Sequence, residues 1–242
     1  MLGGLINGLV DIIYPKACVV CKNRLGDTPA VDNIVCAECW SKIKRNLPPF
    51  CHSCGRHLEA SKFIKNICPG CLKKQPHFDR AFSPCAYEGV IKVLIHEFKY
   101  RNKDYLGCAL AKLMTDFIKE YNLPMDCLDL IIPIPLHKTR LREREFNQAG
   151  ILGEQIARNF NKTSSSDNLI RHRGTKTQTG LENKERLLNV KGSFMVKDAT
   201  AIKGKNILLI DDVLTTMSTC SEAAHALKAA GANIVFVLSL AN

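Results

Sequence analysis

Eight cysteines in the first third of the chain fall into four Cys-x-x-Cys pairs, Cys18/Cys21, Cys36/Cys39, Cys51/Cys54 and Cys68/Cys71. No other feature narrows the possible folds as much. A Cys-x-x-Cys turn presents two thiolates to one ion, and a second turn completes the tetrahedron that Zn²⁺ prefers. Fourteen residues separate the first two pairs and thirteen the last two. That near-constant spacing argues against both a redox dithiol and a set of disulfides. The pairs therefore read as two zinc ribbons with two structural zinc ions, zinc standing ahead of an iron–sulfur cluster. Sequential ligand sets (Cys18, Cys21, Cys36, Cys39 and Cys51, Cys54, Cys68, Cys71) fit the spacing, and so does a cross-braced arrangement. Gly55 and Gly70 suit the tight turns of such knuckles. His52 and His77 are bystanders where four cysteines already complete each site. Residues 1–80 hold too little aliphatic sequence for a conventional core, so metal is expected to hold this part together. Trp40, Phe50 and Phe63 read as its miniature core.

The polar stretch Lys73–Gln75 and Pro76 mark a linker, dividing 1–77 from a second domain at 78–242. The opening MLGGLINGLVDIIYP has no basic segment and no small-residue cleavage site. It reads as an amphipathic helix with Leu2, Leu5, Ile6, Leu9, Ile12 and Ile13 on one face. No stretch approaches the roughly 20 apolar residues of a membrane span. Paired cysteines without a secretory signal point to metal binding in the cytoplasm. The formal charge of +11 favours an anionic partner: nucleic acid, a phosphorylated ligand or an acidic protein surface. Cys85, Cys108, Cys127 and Cys220 have no visible partner and are expected to be buried small apolar residues.

From residue 78 onward apolar strands alternate with helical stretches. Val90–Tyr100, Leu106–Tyr121 and Phe146–Phe160 have helical spacing. Leu130–Ile134, Ile207–Ile210 and Ile234–Leu240 read as buried strands, and Phe194 with Val196 as a short one. The alternation predicts an α/β fold with a mostly parallel sheet and helices on both faces. Ligands of such sheets sit at the carboxyl ends of the strands.

At that edge the run NILLIDDVLTTMSTC, residues 206–220, carries most of the chemistry. An apolar strand ends in Asp211 and Asp212; Val213, Leu214, Thr215, Thr216, Met217, Ser218 and Thr219 follow, and a helix begins near Ser221. Loop N–H groups and a helix N-terminus suit a phosphate. Two carboxylates accept hydrogen bonds from ribose hydroxyls. A capped helix alone needs one such residue, not this cluster. The run resembles the signature by which type I phosphoribosyltransferases bind 5-phosphoribosyl 1-pyrophosphate (PRPP), in which Asp-Asp precedes Thr-Thr-Gly-x-Thr. Met217 stands at the glycine.

Two cationic segments lie on the same edge. In 133–150, Pro135 stiffens a turn, and Leu136, His137, Lys138, Arg140 and Arg144 lead to Asn147 and Gln148. A cationic loop there would hold a pyrophosphate; a solvated basic loop is the plainer alternative. The second segment, 171–194, contains Arg171, Arg173, Thr177, Gln178, Arg186 and Asn189. It reads either as a loop that closes over a phosphorylated substrate or as a surface connection.

Together the paired cysteines, HEFKYRNK at 96–103, PIPLHKTR…REFNQA at 133–149, the R…T..Q..L….R..N..GSF pattern at 173–194 and LLIDDVLTT at 208–216 resemble the ComF family, which includes the GntX-type proteins. The family's Arg-Gly-Phe-Asn-Gln appears here as Arg144-Glu145-Phe146-Asn147-Gln148. The resemblance implies a type I phosphoribosyltransferase fold behind a double zinc ribbon. It also implies PRPP bound with Mg²⁺, and a role in DNA uptake and natural competence, with single-stranded DNA and a competence helicase as partners. Two functions follow. One is an enzyme with Asp211 and Asp212 at the ribose and an acceptor held under a hood formed by the ribbons. The other is a non-catalytic DNA-binding or adaptor protein that keeps the fold.

Overall fold

A computed structural model describes residues 16–25, 29–58, 66–73, 75–100, 103–173 and 190–242. The N-terminal amphipathic stretch, Phe63, Thr177, Gln178, Arg186 and Asn189 lie outside the described residues. In the first cysteine unit β1 (Ala30–Val31) and β2 (Val35–Cys36) form an antiparallel pair that runs into α1 (Ala37–Ser41). The second unit carries α2 (Pro69–Leu72). There follow β3 (Arg80–Phe82), α3 (Gly89–Tyr100), α4 (Leu106–Glu120), β4 (Leu130–Pro133), α5 (Lys138–Arg144), α6 (Gln148–Phe160) and β5 (Thr163–Ser164). The chain ends through β6 (Leu169–Arg171), β7 (Phe194–Val196), β8 (Asn206–Val213), α7 (Ser218–Ala229) and β9 (Ile234–Ala241).

The central sheet runs β3-β9-β8-β4-β5, every pair parallel. Its strands are buried on both faces, so they read as continuous apolar runs, and alternate residues serve different layers. Ile131, Leu208, Ile210, Leu238 and Leu240 pack with Leu94 of α3, Leu110 of α4 and Leu152 of α6. Ile132, Ile207, Leu209, Val235 and Val237 pack with Ala223, Ala224 and Leu227 of α7 and with Phe194 of β7. The expected parallel α/β fold with helices on both faces is what forms. The cysteine units join these layers: Val35, Cys39 and Ile43 belong to the first, and Cys54, Leu58 and Cys71 to the second. Apolar packing thus crosses residue 77. Phe50 does not serve a core internal to the ribbon. It meets Phe117 at 5.8 Å and Tyr121 at 5.1 Å, edge to face.

Several local expectations change. The basic stretch after β4 is not a loop but the short helix α5. It is built from good helix formers and capped by His137, whose Nδ1 accepts from the Thr139 N–H at 3.4 Å. β8 does not stop at Ile210. Pairing with β9, Asp211 opposite Ser239 and Val213 opposite Ala241, draws both aspartates into the strand. α7 starts three residues early. The strands β3, β5 and β6 are two or three residues long and leave no periodic trace. Cys85 and Cys220 are buried as expected, whereas Cys108 and Cys127 are exposed. Among the described residues no helix is long and apolar enough to cross a membrane.

Candidate functional site

The carboxyl edge of the sheet opens into a cavity of about 500 Å³. Its floor is Asp211, Asp212 and Val213, with Thr215 and Thr219 on the α7 side. Leu136, Arg140, Arg144, Asn147, Gln148 and Arg171 line the opposite wall. Eleven sequence-predicted residues therefore converge there from three segments. Pro135, His137 and Lys138 are not in its lining, and Arg173 is exposed outside it.

Asp212 Oδ1 accepts from Lys99 Nζ at 2.8 Å, with the side chains 13% and 17% exposed. Asp211 is held by different donors. It accepts from the Asp212 N–H at 2.9 Å and from the Cys220 thiol at 3.3 Å. Burial, then the neighbouring Asp212 charge, lifts its carboxyl to about 7, with Lys99 opposing. Burial likewise pushes the Cys220 thiol well above its usual value, which keeps it a neutral donor to Asp211. Across the cavity Arg171 is buried and pulled to about 10 by burial and by the like charge of Arg140, with Asp211 opposing. Arg140 keeps a buried Nη2 without a hydrogen-bond partner among the described residues. Two guanidiniums held close together at the rim of a polar cavity suit a polyanion.

Between Asp211 and Cys220 the β8–α7 turn folds around a niche of about 30 Å³, bounded by residues 211 and 213–220 alone. It lies at the N-terminus of the twelve-residue α7, where N–H groups and the helix dipole favour an anion. Met217 sits at φ 63°, so the left-handed turn that glycine takes without strain survives the substitution. Glu145, at φ 64°, does the same at the end of α5.

Arg144, Asn147 and Gln148 serve mainly as scaffold. Arg144 Nη1 donates to Gln148 Oε1 at 3.0 Å and its guanidinium lies 5.2 Å from the Tyr100 ring. Asn147 Nδ2 donates to the Ile134 carbonyl at 3.1 Å, and Gln148 Nε2 to the Phe98 carbonyl at 3.4 Å. Together they tie the α5–α6 junction to the ends of β4 and α3. Sequence reasoning missed Tyr87, Lys92, His96, Lys99 and Tyr100, the wall contributed by α3 and the turn before it. The residues 92, 96 and 100, spaced i, i+4, i+8, form one exposed helix face, a signal masked by the apolar stripe beside it. Among the described residues none from the ribbons lines this cavity.

The cysteines form two sets, Cys18, Cys21, Cys36, Cys39 and Cys51, Cys54, Cys68, Cys71, each with its sulfurs within 4.8 Å of one another. The sulfurs therefore group in sequential sets, not in a cross-braced arrangement. Backbone N–H groups support the sulfurs, Cys36 to Cys18 Sγ at 3.4 Å and Cys68 to Cys51 Sγ at 3.3 Å. Four mutually close, N–H-stabilised sulfurs are a donor set that fits structural Zn²⁺.

Comparison with known proteins agrees. The double zinc ribbon domain matches residues 9–72. Competence protein F of Haemophilus influenzae is 30% identical over 229 residues, 93% of this chain and 96% of that protein. The chain belongs to the competence protein F family. Competence protein ComFC of Bacillus subtilis is 31% identical, spanning 90% of this chain and 91% of its own length. DNA utilization protein YhgH of Escherichia coli O157:H7 is 29% identical, over 85% and 89%. Among solved structures, this competence protein F family member is similar to the glutamine PRPP amidotransferase of B. subtilis complexed with ADP and GMP, at 18% identity and a TM-score of 0.36. The match covers 58% of this chain and 26% of that one.

Proposed function

We propose that the cavity at the end of β8 binds PRPP with Mg²⁺ and that the chain is a phosphoribosyltransferase-type protein of the type I class, acting in the cytoplasm in DNA uptake and utilization. One observation carries this reading: a small niche at a helix N-terminus lies beside paired aspartates, and across the adjoining cavity stand the half-buried Arg140 and the buried Arg171. The 5′-phosphate sits in the niche, held by N–H groups of residues 215–219. Asp211 and Asp212 take the ribose hydroxyls. A carboxyl near 7 donates a hydrogen bond when protonated and accepts one when ionised. Arg140 and Arg171 hold the pyrophosphate and stabilise the charge it develops on leaving, so rate enhancement is chiefly electrostatic. The hard carboxylate oxygens of the aspartate pair suit Mg²⁺, which when bound neutralises pyrophosphate charge.

Calorimetric titration of the two-zinc protein with PRPP and Mg²⁺ tests the reading. The parent binds, and Asp211→Asn/Asp212→Asn weakens binding by about a hundredfold, or 2.7 kcal/mol. A folded parent that takes up no PRPP ends the proposal.

A second reading keeps the fold without turnover, as an adaptor for single-stranded DNA and a competence helicase. The +11 charge and Met217 at the lip of the niche favour it. The names of the relatives, competence and DNA utilization proteins, suit both readings. DNA affinity that falls steeply with salt, without PRPP binding, selects the second.

A further inference from the structure

The second four-cysteine unit is docked directly behind the phosphate loop. Its knuckle is wedged against β3: a Cβ on Gly55, at φ 70°, would stand 2.5 Å from the Ala81 carbonyl oxygen. The Ala81 N–H donates to the Ser53 carbonyl at 2.8 Å, and Asn242 Nδ2 to the Cys54 carbonyl at 3.0 Å. These contacts fix the unit to the sheet edge beside β9. On its other side Cys71 Sγ lies 3.9 Å from Met217 Sδ, across 146 residues of sequence. Met217 packs against the apolar cluster that contains Cys51, Cys54, Cys68 and Cys71. A cavity of about 250 Å³ separates Arg56, Gly70 and Lys73 from Leu214–Met217. The first cysteine unit packs in the other layer, with α4, and shares no such contact among the described residues.

We propose that the second zinc knuckle is the backstop of the phosphate loop, and that Met217 is the positioning residue through which metal occupancy at Cys51, Cys54, Cys68 and Cys71 sets the loop's affinity for a phosphorylated sugar. This rests on the phosphate-site reading given under Proposed function. The physical basis is direct. A non-glycine residue at positive φ is strained and persists only where its surroundings hold it. Here the holder is the thioether packed on a ligand sulfur. With four thiolates gathered on one ion, Cys71 has a fixed place. With the ion withdrawn and the thiolates protonated, the knuckle loses what orders it, and the turn that aims the N–H groups of 215–219 loses its support. Among the described residues the first knuckle has no corresponding path to the loop.

Coupling between two binding sites is reciprocal. If the second zinc raises affinity for a sugar phosphate, the sugar phosphate raises affinity for that zinc by the same factor. The full-length two-zinc protein is titrated against a competing chelator with and without saturating ribose 5-phosphate, and ribose 5-phosphate binding is measured separately by calorimetry. One of the two zinc ions is held about tenfold more tightly in the presence of the ligand, the other unchanged. Met217→Ala retains two zinc ions per chain, binds ribose 5-phosphate more weakly and loses the tenfold difference. Cys36→Ser removes the first ion and leaves the coupling intact. Ribose 5-phosphate that binds the parent while both zinc affinities stay unchanged overturns the proposal and leaves the phosphate site standing. So does coupling that survives in Met217→Ala. A parent that does not bind ribose 5-phosphate overturns both.

Discussion

Asp211→Asn should stabilise the ligand-free protein, and more so at higher pH. Folding holds this carboxyl in a desolvated site beside a second acid, lifting it from 3.8 to about 7. The sign follows from linkage. The folded state keeps the proton over a range where the unfolded chain has lost it, so the group's contribution is fully present below 3.8 and is lost as pH rises through about 7. Each pH unit in that window costs about 1.4 kcal/mol, and the penalty levels off only above the folded value. Between pH 5 and pH 8 the penalty for retaining aspartate grows by about 2 to 3 kcal/mol, an upper bound because the residue is only partly buried. Asparagine preserves shape and one acceptor and does not titrate. The stability difference between Asn and Asp variants should therefore widen by up to that amount over the interval. Urea midpoints at fixed zinc content measure it, and the metal sites cancel because both proteins carry them. The same substitution should weaken ribose-phosphate binding, the signature of a residue kept for function at the expense of stability. A difference that stays flat between pH 5 and pH 8 refutes the assignment of Asp211 as a desolvated, like-charge-perturbed acid.

Two further outcomes follow from the geometry. Glu145→Gly should raise stability by about 1 kcal/mol at most, read as a higher urea midpoint, because the left-handed backbone at φ 64° strains glutamate and not glycine, less the added unfolded-state entropy; a midpoint that falls rejects strain as the dominant effect. Thiol labelling of the native protein should modify Cys108 and Cys127 quickly, since both are exposed outside the metal sets, and the eight clustered cysteines only after a chelator is added; rapid loss of more than those two thiols contradicts structural metal binding at both knuckles.

Much of this site was legible because its chemistry is local. The run from Ile207 to Thr219 places acids and hydroxyls in consecutive residues, so strand, floor and phosphate niche are written in one stretch. Arg140 was visible as a cation after a strand and Arg171 as one in a long polar segment, although their shared wall was not. The α3 wall escaped because His96, Lys99 and Tyr100 sit in a helix whose apolar stripe, Ile91, Leu94, Ile95 and Phe98, accounts for the pattern by itself. The secondary structure at 138–144 was misread because charge density says nothing about whether a basic segment is helical or coiled.

By itself the sequence determined the eight candidate metal ligands, the parallel apolar strands and the acid-and-hydroxyl turn. Ligand spacing, burial period and turn chemistry are properties of neighbouring residues. Only the tertiary structure decided which four cysteines gather in each set, that the two ribbons join opposite layers of the sheet, that α3 walls the cavity, and that Met217 meets Cys71. Those contacts join segments remote along the chain, and local pattern fixes which face of an element is apolar without fixing what comes to cover it.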